Sequence, residues 1–331
     1  MTILAKEERP KAFQEPNFET LLSEYIAFAV AHCAASDEEK AVYLQEALTN
    51  DSELLAQVLQ SLVLKYIADT REKNYWALQM FRKYVTETDM VDLIAMQYSL
   101  KRQTLTAEDN SVFPPKPAVM ESNEDLLRRF DLAAYQFHTT GTRLGYRFHA
   151  LTLDERPVIK VESEADAVLV RYEFPKTAQP ALVKDAQARM VEANSGKVEV
   201  AILSRESVDG VPSAALLERA SQYLNRDDIA QESDEITTKA AIPKPYRISV
   251  VLYTGANPNN HVSQEQAQLA GITFSERKHR LEEVIDVEEI GHEFFELGVK
   301  RVKVLEPATD VTCRWDEAPY CTEVIVDVRA E

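Results

Sequence analysis

Residues 111–130 read SVFPPKPAVMESNEDLLRRF. Pro114, Pro115 and Pro117 fix φ, remove backbone donors and push the residues before them out of the helical region. A few positions later, Ser122-Asn123-Glu124-Asp125 offers a helix N-cap with an acid three residues on to reciprocate. The stretch reads as a stiff, extended connector that closes one domain and opens another. It decides how the chain on either side is parsed.

Upstream, residues 17–100 carry helical periodicity almost throughout. Phe18, Leu21, Leu22, Tyr25, Ile26 and Ala29 form one stripe, and DEEKAVYLQEAL is a second helix. A third helix begins near Asp51 and runs to about Thr86. On it Leu55, Leu59, Leu62 and Tyr66 recur at spacings of four and three. Asp69 and Lys73 interrupt this seam, and Trp76 and Met80 resume it; Leu54 and Val58 widen it beside Leu62. That is much apolar surface for one short helical hairpin to bury. Two readings follow: an intramolecular bundle, or a helix reserved for partner subunits.

Downstream, NEDLLRRFDLAAYQF places Leu126, Phe130, Ala133 and Phe137 on one helical face, with Glu124–Arg128 and Asp125–Arg129 as i,i+4 pairs. The period then changes. PVIKVE (157–162) and AVLVRYEF (167–174) read as a hairpin, and KVEVAILSR (197–205) as a buried strand. An amphipathic helix starts at Ser213, strands are expected at DEITTKAA and PYRISVVLY (245–253), and capping boxes at 263–266 and 286–289 open two more helices. VKRVKVL and TEVIVDV finish as strands. The expected fold class is α+β and multidomain: a helical N-terminal region at 1–110, a proline linker at 111–123, a central α+β domain at 124–242 with an inserted hairpin near 156–184, and a second small α+β domain at 243–331.

With 331 residues, 45% of them hydrophobic and 28% charged, the composition is that of a globular protein without a disorder signature. No apolar run approaches the ~20 residues of a membrane span, and MTILAKEERPKAF lacks the apolar core of a signal peptide, so a cytoplasmic origin is expected. The net charge of −18 repels phosphate backbones and argues against nucleic-acid binding. Cys33, Cys313 and Cys321 read as reduced thiols; a hairpin pairing of Cys313 with Cys321 is the alternative. The eight glycines are scattered, and Gly141 and Gly145 in TTGTRLGY match neither a P-loop nor a dinucleotide turn.

Among the six histidines, no pair has zinc-helix spacing, and GHEFFE offers Phe295 or Glu296 where a second ligand would stand. His32 and Cys33 are helical neighbours that point about 100° apart. No serine sits in a nucleophile elbow, and the acid pairs Glu162/Glu164 and Glu288/Glu289 suit solvated faces. No catalytic, cofactor-binding or metal-binding constellation emerges, and no enzyme activity is expected.

The segment PPKPAVMESNEDLLRRFDLAAYQFHTTGTRLGYRFHAL resembles the central signature of the baseplate J-like wedge proteins of contractile phage tails and phage-tail-like particles. Pro114, Pro115, Pro117, Ala118, Met120, Glu121, Ser122, Asp125, Arg128, Arg129, Gly141, Tyr146, Ala150 and Leu151 fit that pattern. VAILSRESVDGVPSAALLERASQYLN, GVKRVKVLEPATDV and APYCTEVIVDV are similar to its later segments, so the resemblance runs from about residue 85 to the C-terminus. Two stretches depart from it: 156–184 looks like an insertion, and RDDIAQESDE (226–235) replaces an Arg-Pro-containing loop. The resemblance implies a structural protein of the virion tail baseplate, assembled in the host cytoplasm, without cofactor. Its implied partners are a second copy of itself, a smaller wedge subunit met through a helical bundle, and sheath-initiator-like and hub proteins, with neither nucleic acid nor membrane. On that reading Leu55, Leu59, Leu62, Tyr66, Trp76 and Met80 form the protein interface. The competing classes are a peripheral tail adaptor or receptor-binding module, and a cytosolic enzyme with a dispersed site.

Overall fold

The structure, a computed structural model, describes residues 10–138, 141–164, 166–173, 180–255 and 262–330. The chain divides into two compact units, Met1–Ile94 and Ala95–Glu331.

The first unit is helical. Helix α1 (Phe18–Ala34) starts where the Asn17 side chain accepts from the Thr20 N–H at 3.2 Å, and α2 (Glu38–Thr49) where Asp37 accepts from Lys40 N–H at 3.1 Å. Each cap satisfies a donor that the first helical turn leaves orphaned. The long helix α3 (Leu54–Gln79) follows, and α4 (Thr88–Ala95) ends at the boundary. The third helix therefore stops short of the expected Thr86. The turn after it is tied by the buried Gln79 amide, whose oxygen accepts from Thr86 N–H at 2.8 Å and Glu87 N–H at 3.1 Å. The unit's core is Leu21 of α1 against Val63 and Ile67 of α3, flanked by Phe18, Leu22 and Tyr25.

In the second unit the proline stretch is the tip of a hairpin, and not the extended connector of the sequence reading. Strand β1 (Thr104–Thr106) pairs antiparallel with β2 (Val119–Met120), and Asp109 and Lys116 exchange backbone hydrogen bonds further out. Phe113 at the tip is 98% exposed. Residues 95–110 thus belong with the α+β unit. Helix α5 (Asn123–Ala133) opens on the Ser122 hydroxyl, which accepts from Asp125 N–H at 3.1 Å, and α6 (Arg143–Leu151) opens on Thr142.

Strands β3 (Val158–Glu164) and β4 (Ala167–Glu173) pair antiparallel and form a sheet of their own; Phe174, expected to end the second strand, lies outside the described residues. Strands β5 (Val183–Met190), β6 (Lys197–Ser204) and β7 (Glu235–Ala240) make a second sheet in the order β5-β6-β7, with α7 (Ala214–Leu224) connecting β6 to its parallel neighbour β7. Strand β8 (Ile242–Thr254) continues from β7 after Ala241 alone, and carries a third sheet in the order β10-β8-β12. The expected domain boundary at 242/243 falls inside this run. Ala241 N–H reaches back to Ile202 O and Ile242 N–H reaches across to Asp316 O, both at 2.9 Å, so one stretch of chain serves both sheets.

Helix α8 (Gln264–Lys278), opened by a complete Ser263/Gln266 capping box, and α9 (Val287–Phe295) cover the third sheet. Its other strands are β10 (Arg301–Glu306), antiparallel to β8, and β12 (Glu317–Ala330), parallel to it; β9 (Val284–Ile285) and β11 (Val311–Thr312) make a separate small pair. The core there is Ile248, Val250 and Leu252 of β8 against Phe274, Ile290 and Phe294 of the helices. Gln264 and Gln268, one turn apart on α8, donate their side-chain amides to the carbonyls of Val326 and Val324, so the helix closes part of the β12 edge. Cys313 and Cys321 are free thiols, which excludes the alternative pairing; burial pushes Cys313 up to about 11.

The approach of α8 to the sheet depends on Gly271. A Cβ there would stand 2.6 Å from Val324 Cγ1 and 3.1 Å from Phe294 Cζ. Gly271→Val is therefore expected to destabilise the chain by about 1–3 kcal/mol, read as a lowered urea midpoint, with unfolding of the α8–sheet layer as the cause.

Candidate interaction face and the signature cluster

Helix α3 presents two different faces. Val63 and Ile67 are buried against α1, whereas Leu55 (55% exposed), Leu62, Tyr66 and Trp76, with Met80 just past the helix end, are exposed, and Leu59 is half-buried. Leu54 and Val58 extend the exposed strip. Among the described residues, the seam picked out by spacing is thus left uncovered apart from the half-buried Leu59, with Tyr66 6.2 Å from Tyr25 and Trp76 edge-on to Tyr75 at 5.3 Å. Between α1 and α2 lies an open groove of about 550 Å³ floored by Leu22, Ile26, Ala27, Val30 and Ala31. Exposed large apolar side chains gathered on one helix face are the mark of an interaction site.

In the second unit the signature residues converge on buried ion pairs. Arg129, on the buried side of α5, is 2% exposed and meets the similarly buried Glu121 through two hydrogen bonds, Nε to Oε1 at 2.8 Å and Nη2 to Oε2 at 2.7 Å. This fork-on-carboxylate geometry is the strongest arrangement open to such a pair. Arg129 also donates to Lys101 O at 2.6 Å and to Glu155 at 3.1 Å, while Glu121 accepts from Gln103 N–H at 3.0 Å. Burial works against the charge on Arg129, but the Glu121 hydrogen bonds and Glu155 outweigh it and hold the guanidinium above its ordinary value. Arg102 completes the set, donating to Glu121 O at 2.6 Å and Asn123 Oδ1 at 2.9 Å. One pair thereby locks the base of the proline hairpin to α5 and to the end of α6.

A second cluster surrounds Asp185 of β5, which is 1% exposed. It accepts from Arg147 at 3.0 Å and from the backbone N–H groups of Ala186 at 2.9 Å and Leu281 at 3.1 Å, with Arg128 at 3.9 Å. Arg280 turns the other way, to Asp125 at 3.1 Å and Glu124 at 3.3 Å. The expected i,i+4 pairs Glu124–Arg128 and Asp125–Arg129 are replaced by these tertiary partners, because a buried charge gains more from a fixed, desolvated partner than from a neighbour on a solvated helix face.

Gly141 and Tyr146 are also explained. Gly141 has φ +56°, and a Cβ there would fall 2.4 Å from Tyr146 Oη and 2.6 Å from Asp234 Oδ2. Tyr146 Oη donates to Asp234 at 2.6 Å and accepts from Gln231 N–H at 3.3 Å, so the divergent 226–235 loop docks on the signature helix α6.

The remaining residues singled out in the sequence stay apart. His292 is solvated 3.7 Å from Glu296, while Ile290 and Phe294 of its helix pack inward; His32 stacks on Phe28; His261 lies outside the described residues. Among the described residues no group of His, Cys, Asp and Glu is arranged to hold a metal ion, and no helix is long and apolar enough to cross a membrane.

These features define a two-unit α+β scaffold: one unit with an open apolar face, the other knit together by buried charge. No family model matches the chain. It is similar to baseplate protein J of Escherichia phage P2, with 27% identity over 315 residues that span 95% of this chain and 93% of that protein. The similarity covers both units and supports a baseplate J-like family, as the signature residues imply.

Two outcomes test the clusters. Glu121→Ala leaves Arg129 buried without its main partner and is expected to cost about 3–5 kcal/mol in urea unfolding, most of it recovered when Glu121→Leu is combined with Arg129→Met. His149, buried with Nδ1 unpartnered, is held down to about 4 by burial and then by the charge of Arg156, from an ordinary 6.5. The unfolded chain therefore takes up a proton between pH 6.5 and 4 that the folded chain refuses, and stability falls as pH drops through that window. His149→Gln should lose about 3 kcal/mol less than the wild type across it, measured by unfolding free energy against pH.

Proposed function

We propose that the chain is a structural component of the baseplate wedge of a contractile phage tail or phage-tail-like particle. It has no catalytic duty there. It pairs with a second copy of itself, engages a smaller wedge subunit and contributes to the ring around the tail hub, next to sheath-initiator-like proteins. The similarity to the phage P2 protein along nearly the full length of both chains carries this reading. The uncovered face of α3 and the α1–α2 groove support it, because they supply the surface that a helical bundle with a partner subunit requires. The interface is assigned to Leu55, Leu59, Leu62, Tyr66, Trp76 and Met80.

Because Leu55 and Leu62 are exposed, Leu55→Asp with Leu62→Asp leaves the chain folded. In a pull-down with co-expressed neighbouring baseplate subunits, the double variant should retain at least tenfold less partner than the wild type. Undiminished retention would remove the α3 face from the interface.

A further inference from the structure

The sheet formed by β3 and β4 has no third strand among the described residues, and a two-stranded ribbon alone is marginal in water. Yet its base is firmly held. Arg226 donates to Pro157 O at 2.9 Å and Arg156 O at 3.2 Å, and is itself fixed by Asp228 at 2.9 Å, which also lies 3.5 Å from Arg156. The two stretches that depart from the family signature, the inserted hairpin and the 226–235 loop, thus meet: one presents the other.

What is presented is apolar. Alternation puts Val168, Val170 and Tyr172 on one face of β4, 65%, 45% and 57% exposed. The other face carries Leu169, Arg171 and Glu173, the last paired with Lys160 at 2.8 Å. No proline and no charge guards the Val168–Val170–Tyr172 face.

We infer that the outer edge of β4 pairs antiparallel with β4 of a second copy, about a two-fold axis at Val170. The sequence of β4 is complementary to itself in that register. Val168 comes opposite Tyr172 of the other copy twice, a favourable β-branched–aromatic pair, and Val170 comes opposite itself. Leu169 faces Arg171 and Ala167 faces Glu173, so no like charges stand directly across. The two-fold arrangement closes on a dimer and builds one four-stranded sheet from two ribbons. The contact is small and weak in free solution, and an assembly that already holds the two copies close raises its occupancy. The inference rests on the proposed pairing of copies and assigns it a place.

Cysteine cross-linking with sedimentation tests it. On the axis, Cα atoms about 4.5–5.5 Å apart fall within disulfide reach. Val170→Cys should link to itself under mild oxidation, identified by mass spectrometry of the joined peptides. Leu169→Cys mixed with Arg171→Cys should link to each other, and neither should link to itself. Val170→Lys should weaken self-association at least tenfold while leaving the circular dichroism unchanged. A dimer that persists in Val170→Lys, with no self-link in Val170→Cys, overturns the inference and leaves the pairing of copies standing. A wild-type chain monomeric at every concentration, together with a Val170→Cys chain that does not link to itself, overturns both.

Discussion

The second unit turns on the buried pair between Arg129 and Glu121. Two charges out of water are tolerable only when geometry is close to ideal and every remaining donor is satisfied, and here the guanidinium is saturated by Glu121, Glu155 and Lys101 O. The requirement propagates outward. Glu121 must sit at the foot of the proline hairpin, so that hairpin must return to the start of α5, and the Glu155 end of α6 must lie against the same helix. The signature PPKPAVMESNEDLLRRF is thus a folding instruction: prolines to shape the hairpin tip, Glu121 to receive the arginine, Ser122 to start the helix that delivers it.

The first unit is built on the opposite principle. Its helices are capped and packed on one side through Leu21, Val63 and Ile67, while large apolar residues on α3 remain outside. Among the described residues, folding leaves this apolar surface in contact with water.

Local chemistry was the most legible part of the sequence. Caps at Ser122, Ser213 and Ser263, the hairpin of β3 and β4, and the apolar periodicity of α3 all follow from short-range spacing, whereas spacing left open whether the α3 seam is covered within the chain. What stayed hidden was non-local. Strand β5 was not foreseen, because VKDAQARM interrupts its apolar alternation with Asp185, and Asp185 is buried only because Arg147, Arg128 and Leu281 N–H arrive from other elements. The helical pairs foreseen on α5 failed for the same reason: their partners lie elsewhere, at Glu121 and Arg280. The proline run was misplaced because fixed φ angles are as compatible with a hairpin tip as with a spacer.

The passage from β7 to β8 through Ala241 bears on how the second unit would move. Bending at that residue would have to break the links from Ala241 to Ile202 and from Ile242 to Asp316 together. The two sheets are consequently joined by one continuous stretch of chain whose backbone is hydrogen-bonded to both. Rearrangement between the two sheets would cost most along that shared spine, where both hydrogen bonds must break together.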